Sequence, residues 1–339
     1  MNTITLKAHA KINPSLDVLA KRPDGYHEVR LIMQLIELHD FVMLTWTAKE
    51  AAPQDGGMPF TVRLTCDDPS LAVDETNLAH KAVMRLAEKM VQDGRTLPCG
   101  ELAIHIEKRI PVTAGLAGGS ADGAAALLGA SALWETGYGL EELLKTGALL
   151  GADVPFAMMG AARTNPVLGM KEDPLAAACA VGEGTGTALT VLPPVDAHIL
   201  LVKPPIGVST AAAYQGVDAF LEGAGKGDED SAKAPAGLPQ GVACTHPDID
   251  GIILALNKHD LFSAREKMGN TLELYTLKRY HDVAYTKCKI QECVFDGVAL
   301  MSGSGPTIFL LAPGEEEIRR AYDATEGIDA QRIMTKTVV

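Results

Sequence analysis

The stretch IPVTAGLAGGSADGAAALLGA, from Ile110, places Gly115, Gly118, Gly119 and Ser120 immediately before an alanine-rich run. Glycines that open a helix leave backbone N–H groups unobstructed, and the helix dipole puts positive charge at the same end, so a phosphate can sit there. The Ser120 hydroxyl adds a group that can serve a phosphate oxygen or a phosphate-bound magnesium ion. Read alone, the loop is equally consistent with a tight turn whose glycines serve packing. Neither familiar phosphate motif fits. The Gly-Lys-Ser/Thr of a Walker loop is absent, and the glycines do not follow the first strand of a parallel unit as a dinucleotide fingerprint requires.

Such a loop must be held by the elements around it. ELAIHIEKRI reads as the strand that feeds it, and AAALLGASALW and LEELLKTGALLG read as the two helices that follow. Upstream, Thr3 to Leu19 and Val29 to Trp46 carry strand patterns, and KRPDGYHE between them has the chemistry of a hairpin turn. FTVRLTC is a further strand, and TNLAHKAVMRLAEKM has apolar residues at helical spacing.

The second half begins without a clean period after Ala161. It then gives a strand at AHILLVKPP, helical patterns over Ile249 to Ala264 and Tyr280 to Cys293, and a strand, glycine turn and strand in VALMSGSGPTIFLL. A helix at EEEIRRAYDAT and a last strand close the chain. EGAGKGDEDSAKAPAGLPQG is poor in bulky apolar residues and is expected to be a mobile surface excursion. There is no internal repeat.

Composition narrows the function classes. The 339 residues are 47% hydrophobic and 22% charged, the profile of a globular chain with a full core, and the formal net charge of −13 argues against broad attraction to nucleic acid or anionic membranes. An anionic substrate therefore needs a local basic pocket. No apolar run approaches a membrane span and the N-terminus alternates, so a cytoplasmic protein is expected. Cys66, Cys99, Cys179, Cys244, Cys288 and Cys293 are scattered without a C-x-x-C pair, which suggests neither a disulfide framework nor a zinc site.

PVTAGLAGGSADGAA resembles the central ATP-binding motif of the galactokinase, homoserine kinase, mevalonate kinase and phosphomevalonate kinase (GHMP) superfamily, approximately P-x-x-x-G-L-G-S/G-S-S/G-A. The chain departs from that pattern at Ala117, Ala121 and Asp122. AHAKINPSLDVLAKRPDGYHEV from Ala8 and MSGSGPTIFLL from Met301 resemble the first and last motifs of the superfamily, and LGADVPFAMMG resembles the segment with the catalytic aspartate. Together they resemble most closely the branch that uses ATP to phosphorylate 4-diphosphocytidyl-2-C-methyl-D-erythritol in non-mevalonate isoprenoid synthesis. The likeness covers most of the chain, and 171–180 and 222–241 look like insertions.

The resemblance implies an α+β fold of two domains with the active site in the interdomain cleft. An ATP-binding kinase domain would span 1–165 and a substrate-binding α+β domain 166–339. It implies Lys11 and Asp153 as the catalytic pair, the aspartate orienting or deprotonating the acceptor alcohol. At about 4 Å and an effective dielectric of about 20 such a pair interacts by roughly 4 kcal/mol before desolvation. It implies ATP contacts at Pro111, Gly115, Leu116, Ala117, Gly118, Gly119, Ser120 and Ala121, with Asn77 near the adenine. Asn13, Tyr26, His27, Thr210, Tyr214, Gly303 and Ser304 would face the acceptor substrate, with His27 hydrogen-bonding cytosine and Tyr214 stacking on it. Magnesium is implied as cofactor, without named ligands.

Plainer readings stand beside these. Lys11 can be a surface strand residue, Asp153 and Asn77 helix-start residues, the tyrosines packing aromatics, and Gly303–Gly305 a simple hairpin turn. The expected reaction is γ-phosphate transfer to the tertiary 2-hydroxyl of the cytidine-diphosphate substrate, where positioning matters more than basicity. The alternatives are a homoserine- or mevalonate-type kinase and a non-catalytic ligand sensor on the same fold.

Overall fold

The computed structural model describes residues 2–49, 58–224 and 246–339. By compactness these fall into two units, and the chain passes between them more than once. The first holds Met1–Ala10, Leu38–Pro111 and Ala117–Ala177, and the second Lys11–Glu37, Val112–Leu116 and Ala178–Val339. The division by contacts is thus interleaved, where the sequence suggested one boundary at 165/166. The physical reason is the opening hairpin: two long strands, β1 (Thr3–Lys21) and β2 (His27–Ala48), begin or end in one unit and finish in the other.

In the first unit, the second half of β2 pairs antiparallel with β4 (Gly100–Glu107), from Phe41 opposite Glu107 to Ala48 opposite Gly100. The strand β3 (Phe60–Cys66) pairs parallel with β4. Among the described residues four α-helices belong to this unit, α1 (Leu78–Gln92), α2 (Gly118–Leu133), α3 (Leu140–Ala148) and α4 (Val154–Thr164). Ala124 to Leu128 of α2 are buried without exception, among Leu44, Leu86, Ile104 and Met158. A helix buried all round must be built from small residues where neighbours come close. A Cβ on Gly129 would stand 2.6 Å from the Leu44 side chain, and one on Gly123 would stand 3.1 Å from Leu78.

In the second unit the hairpin turn is closed by Arg22 N–H to Tyr26 O at 2.7 Å and Gly25 N–H to Arg22 O at 3.1 Å, with Gly25 at φ 87°. The positive φ is what the glycine of RPDG supplies. Val29–Gln34 of β2 pairs with β5 (Cys179–Gly184), which pairs with β6 (Ala188–Val191). A separate antiparallel sheet runs in the order β10 (Gln331–Lys336), β7 (His198–Lys203), β9 (Ile308–Ala312), β8 (Val298–Met301).

The helices of this unit are α5 (Thr210–Ala224), α6 (Ile249–Leu256), α7 (Leu261–Arg265), α8 (Glu273–Arg279), α9 (His281–Gln291) and α10 (Glu315–Ala324). The helical pattern from Ile249 is broken in two, because His259 is left-handed at φ 54° and Asp260 starts a new helix by accepting from Ser263 N–H. The excursion expected at 222–241 begins inside α5, and from 225 onward it lies outside the described residues. No helix among the described residues is long and apolar enough to cross a membrane.

Candidate active site

In the second unit, three segments far apart in sequence converge. Lys11 and Asn13 are two apart on β1 and therefore share a face. Both are buried, and Lys11 Nζ donates to Asn13 Oδ1 at 2.6 Å. The Lys11 backbone N–H donates to Leu116 O at 3.1 Å, and Ser302 Oγ donates to Gly115 O at 2.9 Å. Two glycines make this approach possible. A Cβ on Gly115 (φ 74°) would stand 2.3 Å from Ser302 O, and one on Gly303 (φ 55°) would stand 3.3 Å from Gly115 O. Lysine on a buried strand position is thus no surface residue, and the Gly303–Gly305 turn packs against Gly115.

The turn is braced from behind by residues the sequence reading missed. Asn270 Nδ2 donates to Met301 O and Gly303 O, each at 2.8 Å, and Glu273 Oε1 accepts from Met301 N–H at 2.8 Å. Burial pushes the Glu273 carboxyl up, while the buried Lys287 ammonium paired with its other oxygen opposes that shift. Thr210 Oγ1 and Ser304 Oγ are hydrogen-bonded at 3.0 Å, so two expected substrate contacts meet each other.

The hairpin and α5 form a second group in this unit. His27 is buried, its Nε2 lies 2.7 Å from Asp218 Oδ1, and its ring centroid lies 4.9 Å from that of Tyr214. Asp218 Oδ2 also pairs with Lys21 Nζ at 2.9 Å. Burial works against the Asp218 carboxylate, but the hydrogen bonds from Lys21 and His27 prevail and hold its pKa below the ordinary value. Tyr26 is 68% exposed. Asp218 was not singled out in the sequence. Its signal was its place one helical turn beyond Tyr214, which puts both on the face of α5 that meets His27.

In the first unit, α2 opens without a side-chain cap. Its first bond runs from Ala121 N–H to Ala117 O at 2.9 Å, and among the described residues the N–H groups of Gly118, Gly119 and Ser120 donate to no carbonyl. The residue before it, Ala117, is left-handed at φ 58°, as are Thr113 at 52° and Gly115 at 74° in the second unit. Ala117 stands where the superfamily pattern has glycine, and its φ shows why that pattern prefers one. A Cβ on Gly119 would meet nothing within 4 Å, so neither packing nor φ demands a glycine there.

An ion cluster clips the two ends of this loop. Lys108 Nζ pairs with Asp40 and, at 2.8 Å, with Asp122 Oδ2 in α2, while Asp40 Oδ1 accepts from Arg109 N–H and Ile110 N–H at 2.5 and 2.8 Å. Two carboxylates share one ammonium. Burial, reinforced by Asp40 and opposed by Lys108, pushes the Asp122 carboxyl up to about 7. Burial works against the Lys108 ammonium, yet its two carboxylates prevail and raise it.

Two other expected site residues start helices in this unit. Asn77 caps α1, accepting from Ala79 N–H at 2.9 Å and donating to Ala72 O at 2.7 Å, so its side chain is engaged locally. Asp153 occupies the corresponding position before α4 but makes no capping bond. Pro111 lies at the start of the loop, before the buried Ala114 and Leu116. Lys11 and Asp153 belong to different compact units.

Residues 77–161 match the family described as GHMP kinases N terminal domain, a span that runs from the α1 cap through the glycine loop to α4. A 4-diphosphocytidyl-2-C-methyl-D-erythritol kinase of Geobacillus sp. (strain WCH70) is 38% identical over 325 residues, covering 96% of this chain and 93% of the relative. One from Acetivibrio thermocellus is 35% identical and covers both chains fully. Among solved structures, a 4-(cytidine 5'-diphospho)-2C-methyl-D-erythritol kinase superposes with a TM-score of 0.68 over 99% of this chain and all of its own, at 24% identity, which speaks for the fold. The chain belongs to the 4-diphosphocytidyl-2-C-methyl-D-erythritol kinase family, ATP-dependent enzymes of the GHMP kinase fold.

Proposed function

We propose that this chain transfers the γ-phosphate of ATP to the 2-hydroxyl of 4-diphosphocytidyl-2-C-methyl-D-erythritol, as a cytoplasmic enzyme of non-mevalonate isoprenoid synthesis. Family membership at 38% identity over 96% of the chain carries this reading. The buried Lys11–Asn13 pair beside Gly115 and Gly303 supports it from within the second unit.

In this reading the loop from Pro111 through Leu116, Ala117 and Gly118 to Ala121 receives the triphosphate. The open N–H groups of Gly118, Gly119 and Ser120 meet its oxygens at the positive end of α2. Asn77 touches the adenine with what its capping role leaves over. Lys11 stabilises charge on the transferred group, and Asp153, whose carboxylate α4 does not consume, orients the tertiary alcohol. Asn13, Thr210, Gly303 and Ser304 hold the acceptor, and Tyr26, His27 and Tyr214 read its cytosine. The residues 1–165 act mainly on ATP and 166–339 on the acceptor, with the opening hairpin lending residues to the latter.

Magnesium, when bound with ATP, neutralises charge on the phosphates. Among the described residues no three His, Cys, Asp or Glu side chains group as a metal cage. That fits an ion carried mainly by phosphates and water, with the Ser120 hydroxyl as the protein contact.

ADP release is measured with ATP and magnesium, with and without the cytidine-diphosphate substrate, for the natural chain and Asp153→Ala. Substrate-dependent release lost in the variant is expected. ADP release that instead accompanies homoserine or mevalonate moves the reading to those alcohols, and binding without release moves it to a sensor.

A further inference from the structure

The base-reading histidine has one ring nitrogen left to offer, and its neighbours decide what that nitrogen is. His27 Nε2 lies 2.7 Å from Asp218 Oδ1. A carboxylate only accepts, so Nε2 carries the hydrogen. The second Asp218 oxygen is 2.9 Å from Lys21 Nζ, so an ammonium already matches the carboxylate charge. The neutral ring with its hydrogen on Nε2 keeps a bare lone pair on Nδ1, and Nε2 makes the one hydrogen bond of this ring among the described residues. Tyr214 and Asp218, one turn apart on α5, meet the same ring.

The geometry points to Asp218 as a positioning residue that selects cytosine over uracil by fixing His27 Nδ1 as an acceptor. This rests on the reading above that His27 meets the base of a cytidine-diphosphate substrate. Cytosine presents an amino donor at N4, and uracil presents a carbonyl acceptor at the same place. The Nδ1 lone pair accepts from the amino group and faces an opposing lone pair in uracil. Asp218 acts through His27 and needs no contact with substrate. An amide at 218 can turn its N–H toward Nε2, which moves the ring hydrogen to Nδ1. The same reversal of tautomer disables a catalytic histidine whose carboxylate partner is replaced by an amide.

The test compares the natural chain with Asp218→Asn and Asp218→Ala, reading kcat/KM for the cytidine-diphosphate substrate and its uridine-diphosphate counterpart alongside thermal melting. The natural chain is expected to prefer cytidine, and Asp218→Asn to shrink that preference by roughly tenfold or more, mainly through KM. Asp218→Ala, with water beside Nε2, falls between. An unchanged cytidine-to-uridine ratio in both variants overturns the inference even if overall activity drops, because a merely structural role weakens both substrates alike. Nitrogen chemical shifts of the His27 ring in the natural chain give a reading that needs no variant. Hydrogen on Nδ1, or on both nitrogens at pH 7.5, overturns it. A folded natural chain inactive on the cytidine substrate instead overturns the function on which the inference rests.

Discussion

The helices α1 and α4 start with side chains of the same capping class, Asn77 and Asp153, and use them in opposite ways. Asn77 gives its oxygen to Ala79 N–H and its amide to Ala72 O, while Asp153 makes no capping bond. A third start, that of α2, has neither cap nor side chain to supply one and leaves the N–H groups of Gly118 to Ser120 without a carbonyl. A good cap typically contributes about 1 kcal/mol. Where a chain has a suitable capping residue and does not use it, or leaves a helix end bare, that stabilisation has been given up for something else. The start of α1 is capped by its own side chain, and those of α2 and α4 have no side-chain cap.

The largest expected effect tests that division directly. If Asp153 orients the alcohol as proposed, Asp153→Asn removes that charge, and kcat is expected to fall by about 10²–10⁴-fold, on the order of a general acid–base group. Urea unfolding of the natural chain and the variant, read alongside kcat, separates a loss of chemistry from a loss of stability. A stability loss comparable to a lost cap, with kcat retained, would return Asp153 to an ordinary helix start.

Burial of charge behind α2 gives the next effect, in stability against pH. Asp122 sits at about 7 in the folded chain, above the ordinary carboxylate value of 3.8, chiefly through burial. The folded state therefore holds a proton that the unfolded state releases near pH 4. This stabilisation is complete below pH 4 and is lost as pH rises through about 7. Asp24, Asp74 and Asp250 lie on the surface with lowered pKa values from hydrogen bonds to Arg22, Thr76 and Arg30, so their contribution is lost only as pH falls below the ordinary range. Urea unfolding of the natural chain and Asp122→Asn from pH 4 to 8 separates the two windows. The natural chain is expected to lose stability across this range relative to the variant, and parallel curves would show Asp122 ionised throughout.

Within α2 itself two glycines sharpen the comparison. Gly129 faces Leu44, where a Cβ would stand at 2.6 Å, whereas a Cβ on Gly119 meets nothing. Gly129→Ala is expected to destabilise by about 1–3 kcal/mol through overpacking, with KM for ATP little changed. Gly119→Ala is expected to raise stability by up to about 1 kcal/mol, since alanine is the better helix former, while KM for ATP rises about tenfold. Unaltered ATP binding in Gly119→Ala would mean that the bare helix start faces no phosphate.

Much of this arrangement was legible in the sequence. The hairpin turn at Pro23–Gly25, the strand ending at Glu107 and the helix after Gly118 follow from local chemistry and period. The motifs around Lys11, Gly115 and Ser304 carried their family with them. The interleaved units were not legible, because a strand pattern shows that β1 and β2 are long and not that each serves two cores. Asp218, Asn270 and Lys108 were not legible either. Each works through a partner distant in sequence, 191 residues away for Asp218 with His27 and 33 for Asn270 with Gly303. The helical pattern read over Ile249 to Ala264 is interrupted at His259, whose positive φ no apolar period announces.

The smallest expected effect returns to α1. Asn77 stands near the adenine by resemblance and caps the helix by geometry, and two substitutions part these roles. Asn77→Ala removes both and is expected to cost about 1 kcal/mol in urea unfolding. Asn77→Asp keeps the acceptor for Ala79 N–H and loses the amide hydrogens, so it is expected to recover most of that stability. If KM for ATP then rises in both variants, an amide hydrogen of Asn77 serves the nucleotide as well as Ala72 O. If it rises only with alanine, the nucleotide feels the cap through the loop between β3 and α1, and α1 starts for the fold alone.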